Sequence, residues 1–185
     1  FIMSSINKYD FSEIYQLSLF SYFSSSKKDC FLLPVSTSWG WVINKERWMQ
    51  FVAFISDKFD AGNILKSQTE FDINNSYPFS KMLKMQLLGK RSSWAILFYA
   101  FVFVNKGTCL YPPVSFINNN GFDGSGTHGS FGVDGMYIKP GAVKDVLFPD
   151  PITLHTENVL KLIESLSKKT FFRRALNYAT KKVFK

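Results

Sequence analysis

The eleven residues Trp94 to Val104, Trp-Ala-Ile-Leu-Phe-Tyr-Ala-Phe-Val-Phe-Val, form the longest apolar run in the chain and contain no charge. Such a run cannot face water on any side, and it is far short of the ~20 residues that a bilayer-spanning helix needs. It reads as a buried element. Its length favours a helix, and its aromatic and β-branched content leaves a strand as the alternative. A chain of 185 residues is long enough to bury one core of this kind. With 46% hydrophobic and 17% aromatic residues, among them 20 Phe, a disordered chain is excluded.

Other elements follow from periodicity. Phe1 to Tyr9 has helical spacing. Ile14 to Phe20 alternates as a half-buried strand does, and Cys30 to Val35 reads as a second strand. A helix is predicted from Lys45 to Phe54, with Asn44 as its N-cap and Trp48, Phe51, Val52 and Ile55 at helical spacing. Asp57 to Tyr77 is polar and reads as a short helix with loops. Pro78 then opens an amphipathic helix carrying Phe79, Met82, Leu83, Gln86 and Leu87, which stops at Gly89. Asn105 to Gly107 is a turn, and Cys109 to Tyr111 is a short strand. Residues 131–158 lack a period and read as an extended arm. In residues 159–185, two apolar stripes out of phase near Ser167 to Thr170 predict two consecutive amphipathic helices.

The formal charge of +8 is not spread over the chain. Residues 159–185 hold eight basic side chains against Glu164, which is +7 of that total. A nearly neutral body argues against a nucleic-acid binder. The basic tail, with Phe172, Leu176 and Val183 on one face, suits peripheral contact with an anionic membrane. Cys30 and Cys109 are far apart and lack metal-ligand spacing, which points to free thiols in a reducing cytoplasm. No signal peptide opens the chain.

Three constellations carry chemistry. Ser36-Thr37-Ser38-Trp39-Gly40-Trp41, with Arg47-Trp48, sets indoles around a glycine, and flat apolar walls with N–H donors suit a sugar ring as well as a core. Lys90 and Arg91 end a helix, where cations meet either a diphosphate or the helix dipole. Asn118 to His128 gathers three glycines, amides, Asp123 and an imidazole in one loop, suiting a ligand or metal site or else a polar surface turn. There is no Asp-x-Asp, P-loop, Rossmann fingerprint, His-Glu-x-x-His or nucleophile elbow, and no internal repeat.

Taken in order, Ser38-Trp39-Gly40-Trp41 with Arg47-Trp48, Tyr77-Pro78-Phe79 with Met82-Leu83 and Gln86, Gly89-Lys90, Ser93-Trp94-Ala95-Ile96, Tyr111-Pro112 and Asn120-Gly121-Phe122-Asp123-Gly124-Ser125-Gly126-Thr127-His128 resemble a bacterial family. It is the GT-A-type glycosyltransferases, or haemolysin-like sugar transferases, of surface-polysaccharide clusters. The resemblance runs from about Cys30 to His128. Relatives carry an acidic or amide residue before Ser-Trp-Ala-Ile and an arginine after it, where this chain has Ser92 and Leu97.

The resemblance implies a mixed α/β fold: an incomplete GT-A-like fold lacking the amino-terminal nucleotide-binding βαβ half, plus carboxy-terminal amphipathic helices. Residues 1–130 would be the carboxy-terminal part of the transferase domain, beginning just after its acidic metal motif, with 131–158 the arm and 159–185 the basic tail. It implies a nucleotide-diphosphate sugar donor, a glycan or lipid-linked glycan acceptor, and a divalent Mn or Mg held with the missing motif. On this reading His128 meets the metal, and Asp123 or Asp72 is the base. Trp39, Gly40, Trp41, Arg47, Trp94, Asn120, Gly121 and Ser125 contact substrate. Without the donor half the chain alone is expected to be inactive. The alternative is a non-catalytic glycan-binding or scaffold module that uses the Trp cluster.

Overall fold

The computed structural model describes residues 1–57, 59–117 and 146–168. The loop from Asn118 to His128, most of the arm and the second tail helix lie outside the described residues. Within them the elements run α1 (Ile2–Lys8), β1 (Ile14–Ser18), β2 (Phe31–Leu33), β3 (Trp41–Val42), α2 (Lys45–Ser56), α3 (Ala61–Lys66), α4 (Gln68–Phe71), α5 (Phe79–Leu87), α6 (Trp94–Val104) and β4 (Thr108–Tyr111). A further helix, α7, follows over residues 156–168. The fold is mixed α/β, as expected.

The sheet has the order β2-β4-β1-β3. β1 lies parallel to β4, with Leu17 opposite Leu110, while β3 and β2 flank them antiparallel. Alternation along β2 and β4 explains why the sheet is covered twice. Phe31, Leu33, Cys109 and Tyr111 join the larger core beneath the helices α2 to α7, and Leu32 and Leu110 join a smaller one with Ile14, Leu17 and Cys30. Phe1, Ile2, Tyr9, Val146, Phe148 and Ile152 pack on that smaller cluster. Leu147 joins Asp29 in a parallel bridge on this side.

Burial of both faces of β1 corrects one expectation. β1 is not half-buried but enclosed: Gln16 and Ser18 are as inaccessible as Leu17. Burial without a partner would cost about 1–3 kcal/mol per polar group, so both are bonded. The Gln16 amide donates to the Thr37 carbonyl at 2.8 Å and accepts from the Thr37 N–H at 2.8 Å. Ser18 Oγ donates to the Phe20 carbonyl at 2.7 Å. Gln16 thereby staples the loop that leads into Trp39.

The helices follow their sequence signals. α2 starts where Asn44 Oδ1 accepts from the Arg47 N–H at 2.7 Å, and buries Phe51. α6 is helical and buries six residues from Ile96 to Val102. Tyr99 Oη donates to the Phe71 carbonyl at 2.8 Å, fastening α6 to α4. α7 buries Leu162 and Leu166 in the larger core. Its helical run begins at residue 156, three residues before the boundary drawn from the apolar stripe.

Candidate functional site

The tryptophans come together in a way their spacing only partly shows. Gly40 takes φ +48°, and its carbonyl accepts from the Leu19 N–H at 2.6 Å. The indoles on either side of it meet different partners. Trp39 packs edge-on against Phe20 at 4.8 Å. Trp41, on β3, packs against Trp94 of α6 at 4.8 Å and Trp48 of α2 at 6.0 Å. Three elements thus deliver one indole each to a single cluster.

The floor of the cluster is rigid. Phe98 lies 6.0 Å from Trp41, and Phe51 lies 5.3 Å from Trp48. Both phenylalanines are buried, yet Trp48 and Trp94 are 37% and 41% exposed. The outer indoles are therefore held by packing from below while they still meet water. Trp48 was not singled out for substrate contact in the sequence. Its helical register with Phe51 was the available signal.

The other candidates are placed elsewhere. Arg47 lies with its guanidinium 3.9 Å above the Tyr15 ring. It donates to Gln50 Oε1 at 2.7 Å and to the Ser12 carbonyl. It clamps α2 to the turn before β1, and only its buried Nε has no hydrogen-bond partner among the described residues. Asp72 is buried, with Oδ1 accepting from the Ser80 N–H at 2.6 Å and Oδ2 from Ser80 Oγ at 2.8 Å. α5 begins after Pro78, which supplies no side-chain cap. Asp72 provides it from earlier in the chain. Replacing Asp72 by Ala is expected to lower unfolding stability by about 2 kcal/mol in a urea titration, because it orphans two donors at a helix start, and Asp72→Asn by less.

Asn120, Gly121, Asp123, Ser125 and His128 lie outside the described residues. Among the described residues no group of three or more His, Cys, Asp or Glu side chains could hold a metal. His155 is exposed and pairs with Thr153 Oγ1 at 3.2 Å. The described side chains therefore offer no shell for the divalent ion that the resemblance implies. Cys30 and Cys109 are both buried and free, and burial pushes both thiols above their ordinary range.

A groove of about 620 Å³ opens away from the indoles, lined by Pro34, Ile73, Tyr99, Phe103, Lys106 and Ile163 among others. Left-handed backbone forms parts of its wall: Ile73 and Asn74 have φ of 49° and 55°, and Lys106 has 51°. For the β-branched Ile73 this is a strained conformation. None of the groove residues was predicted as a site. The paired Asn74-Asn75 and the Asn105-Lys106-Gly107 turn were the only hints of left-handed backbone.

No family model, curated protein or solved structure matches this chain.

Proposed function

We propose that this chain handles sugars, as the acceptor-side part of a glycosyltransferase that moves a sugar from a nucleotide-diphosphate donor to a surface glycan. The observation that carries the proposal is the indole cluster of Trp41, Trp48 and Trp94, anchored on Phe51 and Phe98 with two rings still facing water. An indole presents a broad apolar face with one N–H donor at its edge, which matches the C–H face and hydroxyl rim of a pyranose. Rigid mounting removes the ordering cost that a flexible contact would incur on binding. Trp94→Ala is expected to weaken binding of a surface-type oligosaccharide by roughly tenfold or more in calorimetry, a contact loss of about 1.4 kcal/mol. Because Trp94 is partly exposed, its thermal midpoint should move little. Unchanged affinity in a folded variant would remove the basis of the proposal.

A second reading is a non-catalytic glycan-binding module. It is favoured by one observation: the exposed indole faces of Trp48 and Trp94 can receive a sugar ring without a metal, a base or a nucleotide. Oligosaccharide binding that persists in EDTA, with no response to a nucleotide-sugar, would select this reading over transfer.

A further inference from the structure

The end of α5 presents two leucines to solvent. Leu87 and Leu88 are 49% and 66% exposed at consecutive positions. Gly89 follows at φ +66°, and nothing lies within 4 Å of where its Cβ would be. The chain therefore turns in open space with two leucines at its crest. The Ser93 N–H donates to Gln86 Oε1 at 2.5 Å. That bond closes the loop and sets Trp94 beside the crest.

The charge along this stretch of chain is of one sign. Lys81, Lys84, Lys90 and Arg91 fall within this segment, and no acidic residue occurs between Asp72 and Asp123. None of the four cations makes an ion pair among the described residues, whose salt bridges involve Lys8, Lys161 and Lys168. Lys81, Lys84 and Lys90 are exposed. An all-cationic rim is complementary to an anionic surface, and adjacent exposed leucines need an apolar phase beneath that surface. A polynucleotide would satisfy the charges and leave the leucines in water. An anionic lipid bilayer satisfies both.

We infer that the Leu87-Leu88-Gly89-Lys90-Arg91 crest is a membrane-docking tip, which seats its leucines below the headgroups of an anionic bilayer while the four cations pair with lipid phosphates. The tip rests on its own exposure and charge, independent of the sugar reading and of the basic tail.

The test uses the full chain with Leu88→Cys carrying an environment-sensitive fluorophore, made feasible because Cys30 and Cys109 are buried. With phosphatidylglycerol vesicles the probe is expected to shift to the blue and brighten, and with phosphatidylcholine vesicles to change little. Removing Lys90 and Arg91 by substitution with Ser should weaken vesicle partition by roughly twenty-fivefold, since each surface cation contributes about fivefold. Leu87→Ser with Leu88→Ser should weaken it by about tenfold or more at unchanged circular dichroism. Vesicle binding with an unshifted probe would show that another part of the chain docks, and would overturn the inference. Binding of single-stranded RNA without a probe shift on vesicles would overturn it equally.

Discussion

The protein is expected to unfold cooperatively in alkali, between about pH 10 and about pH 12, with tyrosinate absorbance and loss of helical circular dichroism rising together. Tyr99, Tyr111 and Cys109 are buried in the larger core. Burial pushes all three groups well above their ordinary range. Hydrogen bonding reinforces this for the phenols: Tyr99 donates to the Phe71 carbonyl at 2.8 Å and Tyr111 to the Val35 carbonyl at 2.7 Å. Ionisation would leave a phenolate facing a carbonyl oxygen. In the unfolded chain the same groups titrate near pH 8.5 for Cys and pH 10 for Tyr.

The sign follows from proton counts. The folded state keeps protons that the unfolded state releases, so stability is fully present below the unfolded values and falls as pH climbs past them. Each group then removes about 1.4 kcal/mol per pH unit, and the three together about 4 kcal/mol per unit above about pH 10. A domain with about 5–8 kcal/mol of stability, the lower part of the usual range, exhausts it within about two units. Gradual tyrosine titration near pH 10 with circular dichroism intact would contradict the burial of these side chains.

What could be read from the sequence was mostly local. Asn44 before a periodic run, Pro78 opening another and Gly89 closing it are signals contained within a few residues, and α2 and α5 follow them. The unbroken apolar run became α6 because its length suits a helix and every face has a partner. Readings failed where a distant segment decided the outcome. β1 looked half-buried because alternation reports only its own side chains, whereas both of its faces are covered: Leu17 packs with α1 and residues 146–152, and Gln16, paired with Cys109 of the larger core, is bonded to the loop at Thr37. β3 is two residues long and exists through pairing with β1. Asp72 reads as a free carboxylate until α5 places the Ser80 N–H and hydroxyl against it. Of the predicted sugar contacts, Trp41 and Trp94 meet and Trp39 packs on Phe20 instead, while Trp48, outside that predicted set, joins the cluster.

Gly40→Ala is expected to cost about 3 kcal/mol and to disperse the indole cluster, because one glycine controls both the backbone and the position of Trp41. Two penalties act together. Left-handed backbone costs a non-glycine residue about 1–2 kcal/mol, and overpacking a filled site adds about 1–3 kcal/mol. A Cβ at this position would sit 2.5 Å from Ile117 Cδ1 and 3.1 Å from Leu19 Cβ. The two neighbours differ in how they can respond. Ile117 Cδ1 is the end of a side chain and can rotate away, but Leu19 Cβ is fixed to a backbone whose N–H is bonded to the Gly40 carbonyl at 2.6 Å. Adding Ile117→Val, which removes Cδ1, should therefore recover part of the loss and leave the backbone penalty of about 1–2 kcal/mol. The site responds through β3. Only the pairs of Leu17 with Val42 and Ser18 with Trp41 hold that strand, so a displaced Gly40 carries Trp41 away from Trp94, now 4.8 Å distant. Coupled indoles at that separation give an exciton signal in circular dichroism, and its loss in Gly40→Ala is the expected readout. An alanine variant that kept both its stability and that signal would mean that the turn at Gly40 does not position Trp41.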